Sequence, residues 1–245
     1  MQTTTNGTKM KVEVWSDIMC PFCYIGKRNY EKALQEFPAG SEIELVWKSF
    51  QLDPSISIDK PSQAVSEYLV QRKGISPQQV AQMHKQVTAT ATNAGLDYRL
   101  DNTVLANSFN AHRVIQLAKE KGLGDQAEER LFYANFTEGK DFGSTAVLTD
   151  LGTQIGLSEN EVKEALSNDH YADEVKKDIQ EARELGVTGV PFFVFNRKYA
   201  ISGAQPPQTF LQALEKSHKE WKENNERPEM EVSEGPSCTP DGNCN

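Results

Sequence analysis

The fold of this chain is decided by residues 12–34, which read VEVWSDIMCPFCYIGKRNYEKAL. Residues 12–15 alternate apolar and polar side chains, which is the period of a β-strand. After a short loop, Tyr30, Ala33 and Leu34 recur at the spacing of one helix face. The two cysteines, Cys20 and Cys23, therefore lie where a loop leads from a strand into a helix. A C-x-x-C motif in that position is typical of a redox active site.

We expect Cys20 at the N-terminus of this helix, where unpaired backbone N–H groups and the helix dipole favour a thiolate. Pro21 suits the first helical position because its missing N–H would have no partner there. Cys23 follows one turn later, within reach of a mixed disulfide formed on Cys20. We interpret Cys20 as an exposed nucleophile and Cys23 as the resolving thiol. The alternative is half of a zinc site, which would need two further ligands.

Composition and charge exclude several classes of function. The chain has 245 residues and a net charge of −9, so nucleic acid or an anionic membrane would repel it. It has no apolar run approaching the roughly 20 residues of a membrane span. Residues 1–9 are polar and lack the apolar segment of a signal peptide. We expect them to be a disordered leader, and the protein to be cytoplasmic, with no metal and no cofactor.

The remaining chain predicts one α/β fold with a long helical segment in its middle. A strand near residues 42–47 completes a βαβ unit with parallel pairing. Residues 61–185 show helical periods, including a helix predicted over 103–121 and capping boxes at Ser76–Gln79 and Ser158–Glu161. Strands at 191–195 and 199–201 form a hairpin, and a final helix follows. We divide the chain into a domain of residues 10–60 and 186–222, a helical insertion of residues 61–185, and a flexible tail of residues 223–245.

This order, βαβ, a helical block, then ββα, is that of a thioredoxin fold with a large all-helical insertion. Together with four motifs, it resembles the DsbA-like FrnE family of thiol–disulfide oxidoreductases over Met10 to Trp221. The motifs are DIMCPFCYIG at 17–26, AHR at 111–113, GVPFFV at 189–194 and SGAQP at 202–206. The resemblance implies dithiol–disulfide exchange on protein substrates and a cis-proline beside the active site, which Pro191 matches.

The same resemblance suggests how substrates bind. We expect the backbone of Val190 to pair with an extended substrate segment, as an added strand would. The alternative for Pro191 is an ordinary edge-strand proline. Phe22 occupies the position where DsbA-type oxidants carry a histidine that can donate to the thiolate. Because Phe22 cannot donate, we expect a reduction potential between about −120 mV and about −270 mV, the DsbA and thioredoxin values.

Four further residues are left with open interpretations. Cys238 and Cys244 form a C-x5-C pair that is either a second redox pair, a pair of solvent-exposed thiols, or an adventitious metal-binding site. Asp17 either tunes the helix start or belongs to a plain turn. His112 is either a core histidine or a neighbour of the active site. Thioredoxins carry a buried acid six residues before the first cysteine, but that position is Val14 here, so the group that deprotonates Cys23 is not evident.

We therefore predict a protein thiol–disulfide oxidoreductase, with disulfide isomerase activity as a further expectation. Its redox partner would be the thioredoxin or the glutathione system. One alternative is a glutathione-dependent isomerase or transferase of the kappa/2-hydroxychromene-2-carboxylate isomerase kind, although those enzymes typically have Ser where this chain has Cys20. The other is a redox-regulated chaperone or a thiol metal binder.

Overall fold

A computed structural model describes residues 9–58 and 62–225 of the chain. Its elements in chain order are β1 (Met10–Ser16), α1 (Pro21–Glu36), β2 (Ile43–Ser49), β3 (Gln63–Ala64), α2 (Val65–Lys73), α3 (Pro77–Ala94), β4 (Val104–Leu105), α4 (Phe109–Glu120), α5 (Gly124–Phe136), α6 (Thr145–Gln154), α7 (Glu159–Ser167), α8 (Asp169–Glu184), β5 (Phe192–Phe195), β6 (Tyr199–Ser202) and α9 (Pro207–Asn225). No helix in the described residues is both long and apolar enough to cross a membrane.

Four strands form the main sheet in the order β2-β1-β5-β6. β1 and β2 are parallel, with Val12 opposite Leu45, as the βαβ prediction requires. β5 runs antiparallel to β1 and places Phe193 opposite Val14, and β6 returns beside β5 as the predicted hairpin. The order of the elements is the predicted βαβ…ββα, with a predominantly helical segment between β2 and β5.

Both faces of the sheet are apolar at β1, because successive side chains of a strand point to opposite faces and Val14 and Trp15 are both buried. Val14 and Phe193 face α1 and α9, where the Phe193 ring packs against Tyr30 and Phe210. On the other face Trp15 lies in a small cluster with Ala182 and Val187, and its indole N–H donates to the carbonyl of Asp178 on α8 at 2.9 Å. The sheet is thus covered by helices on both sides, and the start of α1 is held firmly against β5.

The middle segment differs from its prediction in two details. It contains a two-stranded sheet of β3 and β4, so it is not helical throughout. Helix α4 begins at Phe109, because the preceding residues Val104 and Leu105 pair with β3 and the Asn107 side chain accepts the Phe109 N–H at 2.8 Å. The sequence pattern predicted that this helix begins at residue 103, because Leu105 lies at a position that continues the apolar face of the helix. The capping boxes at Ser76–Gln79 and Ser158–Glu161 are confirmed.

A buried ionic cluster joins α1 to α5. The Lys27 side chain is almost fully buried and pairs with Glu31, Asp125 and Glu129. Glu128 lies on α5 near this cluster, fully buried, with one carboxylate oxygen that has no hydrogen-bond partner within the described residues. Burial, followed by the nearby charge of Asp125, raises the pKa of Glu128 to about 8. Helix α5 is therefore held to the active-site helix by charge pairs as well as by apolar contacts.

Gly26 gives a test of the contact between α1 and β5. A methyl group added there would lie 2.9 Å from the Pro191 ring and 3.4 Å from the Phe193 ring. We expect Gly26→Ala to destabilise the protein by about 1–3 kcal/mol, as overpacking does, measured by urea unfolding. Gly189→Ala is the control, because its added methyl meets no atom within 4 Å. A Gly26→Ala protein more stable than wild type, as helix propensity alone would give, would contradict this packing.

Glu128 gives a pH-dependent test. In the unfolded chain this acid loses its proton near pH 4.5, but in the folded protein only near pH 8. Folding therefore takes up a proton at Glu128 between these values, and the contribution of Glu128 to stability falls as pH rises through that window. Glu128→Gln, which mimics the protonated acid, should have little effect near pH 4.5 and should stabilise the protein by on the order of a few kcal/mol at pH 8.

The measurement is urea unfolding of wild type and Glu128→Gln at both pH values. Glu164→Gln is the matched control, because Glu164 is exposed on α7 and its replacement changes the net charge equally. A Glu128→Gln effect of the same size at both pH values would show that its cause is packing and not ionisation.

Candidate active site

Cys20 caps the N-terminus of α1, as predicted. Its backbone is extended, with φ −89° and ψ 111°, and Pro21 occupies the first helical turn. The Cys20 N–H donates to the Asp17 carbonyl at 2.9 Å, and the Cys23 N–H donates to the Cys20 carbonyl at 3.0 Å. The loop therefore ends in a tight turn that places Cys20 at the N-terminus of α1, the positive end of the helix dipole.

The loop before β5 brings Val190 and Pro191 to the same place. The peptide bond between them is cis, as the family resemblance implies. The Cys20 thiol donates to the Val190 carbonyl at 3.4 Å. Cys20 and Cys23 are both free thiols. The predicted neighbours Cys20, Cys23, Val190 and Pro191 are thus together.

The expectation of an exposed Cys20 is wrong. Only 5% of Cys20 and 1% of Cys23 are accessible, whereas Phe22 between them is 43% exposed. The Val190 carbonyl lies against the Cys20 sulfur. Tyr98, from the helical segment, donates its hydroxyl to the carbonyl of Pro21 at 2.7 Å, directly after Cys20 in the chain.

The two cysteines differ in their electrostatic surroundings. Burial raises the pKa of the Cys23 thiol well above its ordinary value, and the adjacent Cys20 sulfur raises it further. The Asp17 backbone N–H and the Ser16 hydroxyl act in the opposite direction but do not outweigh these effects. The surroundings of Cys23 therefore favour its protonated form.

Asp17 and His112 come close together beneath the motif. Asp17 is fully buried, and its carboxylate accepts the backbone N–H groups of Met19 at 3.2 Å and Leu52 at 2.7 Å. His112, on α4, is fully buried as well, and its Nε2 lies 3.6 Å from the Asp17 carboxylate. The two readings of His112 left open by the sequence are therefore compatible: it lies in the core and beside the loop that leads to Cys20.

Sequence reasoning missed three polar residues near the site. Tyr98 follows a helix end and belongs to none of the motifs, so only the tertiary fold brings it to Pro21. Ser16 ends β1 directly before Asp17, and its position in the quoted stretch was the available signal. Glu128 reads as an ordinary polar position of a helix. None of the three carries a spacing that would have identified it.

The other predicted residues are not placed by this structure. Cys238 and Cys244 lie outside the described residues, as does most of the predicted leader. Within residues 9–58 and 62–225, no group of three or more His, Cys, Asp or Glu side chains is arranged to hold a metal ion.

Comparison with solved structures finds the same fold in several bacterial proteins. A crystal structure of a probable DsbA oxidoreductase, SCO1869 from Streptomyces coelicolor, superposes with a TM-score of 0.82 at 39% identity, over 96% of this chain and 98% of that one. The cytosolic disulfide reductase DsbM from Pseudomonas aeruginosa has a TM-score of 0.59 at 18% identity, over 85% and 98% of the two chains. A 2-hydroxychromene-2-carboxylate isomerase has a TM-score of 0.63 at 14% identity, over 88% and 98% of the chains. At these lower identities, the last two share the fold alone.

Sequence comparison agrees with the structural one. The uncharacterized protein YwbO from Bacillus subtilis is 28% identical over 213 residues, which cover 85% of this chain and 97% of that protein. The model of the DSBA-like thioredoxin domain family matches residues 11–215. The thioredoxin fold expected from the sequence is therefore confirmed, and the chain belongs to the family of DsbA-like thioredoxin-domain oxidoreductases.

Proposed function

We propose that this protein exchanges thiols and disulfides with protein substrates through Cys20 and Cys23. The observation that carries the proposal is the unequal pair of sulfurs: Cys20 at the N-terminus of α1 against the Val190 carbonyl, and Cys23 fully buried behind it with a raised pKa. In this proposal Cys20 attacks the substrate disulfide, and Cys23 later resolves the mixed disulfide. Membership of the DsbA-like family supports oxidoreductase activity. Assignment to the FrnE group stays a prediction.

The exchange proceeds in two steps that balance in electrons and protons. The Cys20 thiolate attacks one sulfur of a substrate disulfide, the substrate S–S bond breaks, and the second substrate sulfur leaves as a thiolate that takes a proton. Cys23, once deprotonated, attacks the Cys20 sulfur of the mixed disulfide. A Cys20–Cys23 disulfide forms and the first substrate thiol is released. Two electrons thus pass from the protein dithiol to the substrate, and the reverse sequence oxidises a substrate dithiol.

The surface around Cys20 suggests which substrates fit. Phe22 is the exposed apolar group beside the sulfur, and Val190 next to it is half-buried. An extended segment could lie along the Val190 backbone and place a disulfide at Cys20, with an apolar side chain against Phe22. Because little of Cys20 is accessible, we propose that the substrates are exposed, extended disulfide segments. Because Phe22 cannot donate a hydrogen bond to the Cys20 thiolate, we propose a reduction potential below that of DsbA.

The redox partner and the compartment belong to the same proposal. We propose the thioredoxin or glutathione system as partner and the cytoplasm as location, and disulfide isomerisation as a further activity. Among the structural relatives, DsbM is a cytosolic disulfide reductase, and the compartment proposed here is the same. A second redox role for Cys238 and Cys244 stays a prediction, because both lie outside the described residues.

The test is insulin reduction with dithiothreitol as electron donor, together with renaturation of scrambled RNase. Wild type should accelerate both reactions, and Cys20→Ser should fall to the uncatalysed rate because the sulfur proposed to attack the substrate disulfide is missing. Cys23→Ser should instead accumulate a mixed disulfide on Cys20, visible by mass spectrometry without reductant. Thermal melting of each variant establishes that it is folded.

Two outcomes would contradict the proposal. A folded Cys20→Ser protein with wild-type activity would favour the chaperone or thiol metal binder. A wild-type protein that is inactive on protein disulfides, but isomerises 2-hydroxychromene-2-carboxylate with glutathione, would favour the isomerase.

A further inference from the structure

Two side chains of the helical segment donate hydrogen bonds to the backbone around Cys20. The Asn135 amide, on α5, donates to the Ile18 carbonyl at 3.0 Å, and the Tyr98 hydroxyl donates to the Pro21 carbonyl at 2.7 Å. Ile18 comes two residues before Cys20, and Pro21 directly after it. Both donors are buried, where a hydrogen bond is stronger than in water. The chain is therefore held at one carbonyl on each side of Cys20, and we call Tyr98 and Asn135 the clamp.

The C-terminal end of α5 fixes both members of the clamp. Asn135 is followed by Phe136, whose ring stacks on the Tyr98 ring with a distance of 4.9 Å between centroids. The backbone on both sides of Tyr98 is anchored as well. The Arg99 N–H donates to the Phe136 carbonyl, and the Thr137 hydroxyl donates to the carbonyl of the residue before Tyr98, each at 2.7 Å. The helical segment itself therefore positions the two donors.

An amide is a costly choice for the buried position of Asn135. Its Oδ1 has no hydrogen-bond partner within the described part of the chain, and a buried acceptor without a partner lowers stability. A leucine of similar size would avoid this cost but could not donate to the Ile18 carbonyl. A buried group of this kind calls for an explanation, and the bond to the chain beside Cys20 provides one.

The clamp holds the turn that contains both cysteines. The Cys23 N–H donates to the Cys20 carbonyl at 3.0 Å, so one hydrogen-bonded turn joins the two residues. A disulfide places strict requirements on the distance and direction between its two cysteines. A loop that moves freely in the dithiol form loses that freedom when the disulfide forms, whereas a loop that is already held loses little. Holding this turn therefore favours the disulfide over the dithiol.

We propose that Tyr98 and Asn135 are positioning residues that raise the effective concentration of the Cys20 and Cys23 thiols for each other. The inference rests on the proposed thiol–disulfide exchange. In that exchange the protein dithiol loses two electrons and two protons, and one disulfide, such as glutathione disulfide, is reduced to two thiols. Because the clamp holds the loop before the Cys20–Cys23 bond forms, it shifts this equilibrium toward the protein disulfide and makes the protein a stronger reductant.

The experiment measures the equilibrium between the full-length protein and glutathione at pH 7. The protein is incubated at graded ratios of glutathione to glutathione disulfide and quenched with acid, and its remaining thiols are alkylated. Peptide mass mapping then gives the oxidised fraction of the Cys20–Cys23 pair separately from Cys238 and Cys244. A side chain that only supports the fold stabilises the oxidised and reduced proteins equally, so its loss leaves this equilibrium constant unchanged.

We expect Tyr98→Phe, which removes one hydroxyl and keeps the ring, to lower the equilibrium constant for forming the disulfide by about threefold. Asn135→Leu should lower it by about as much, since one hydrogen bond contributes a factor of roughly 2 to 10. The double variant should lower the constant by about tenfold, which raises the reduction potential of a two-electron couple by about 30 mV.

Tyr133→Phe and Asn29→Leu are the matched controls. Tyr133 also lies on α5, but 44% of it is exposed. Asn29 lies on α1 and donates to the Gln205 carbonyl at 2.9 Å, away from the chain around Cys20. Both controls should leave the equilibrium constant unchanged, because neither side chain holds the turn between the cysteines.

A folded Tyr98→Phe protein with the wild-type constant, or with a higher one, would overturn the inference, and this variant decides the matter should Asn135→Leu not fold. An equally large decrease in either control would overturn it as well. A wild-type protein that forms no Cys20–Cys23 disulfide at any glutathione ratio would instead overturn the proposed function.

Discussion

The structure depends on the contact between the start of α1 and the loop before β5. Cys20 and Val190 are 170 residues apart in sequence, yet the thiol of one donates to the carbonyl of the other. Antiparallel pairing of β1 with β5 sets this distance. Trp15 lies opposite Phe192, so the loop that follows β1 and the loop that precedes β5 lie at the same end of the sheet. Gly26 permits it, because any side chain there would meet the Pro191 ring. The reactive sulfur is therefore positioned by the sheet and by the absence of one side chain.

The helical segment between β2 and β5 completes the site from the other side. Tyr98 is bonded to the Pro21 carbonyl, Glu129 pairs with Arg28 and Tyr24 on α1, and His112 lies against Asp17. These contacts join the helical segment to α1 and to the loop that leads to Cys20. The small thioredoxin sheet positions the two sulfurs, and the helical segment packs against the helix and loop that carry them.

The parts of this fold that depend on local chemistry could be predicted from the sequence. The alternation of β1, the proline after Cys20, the two capping boxes and the hairpin of β5 and β6 are encoded within a few residues each, and all are confirmed. The start of α4 was predicted too early, because Val104 and Leu105 pair with Ala64 and Gln63, which are distant in the chain, and periodicity cannot detect such partners.

The candidate site shows the same division. Cys20, Cys23 and Pro191 were identified through motifs, since chemistry or a backbone conformation demands those residue types. The burial of Cys20 was not foreseen because it depends on the tertiary fold, which brings the Val190 carbonyl against its sulfur from 170 residues away. Glu128 and Ser16 were missed for a related reason. The sequence shows only an acid in a helix and a serine at the end of a strand, and it does not show that tertiary packing buries them.

The central claim is that Cys20 and Cys23 are chemically unequal in the reduced protein. It is tested most directly by brief alkylation of the reduced protein with limiting iodoacetamide at pH 7, followed by peptide mass mapping. The account predicts label on Cys20 while Cys23 stays unmodified, because Cys23 is buried and its surroundings favour the protonated form. Equal labelling of the two cysteines, or labelling of Cys23 first, would contradict it.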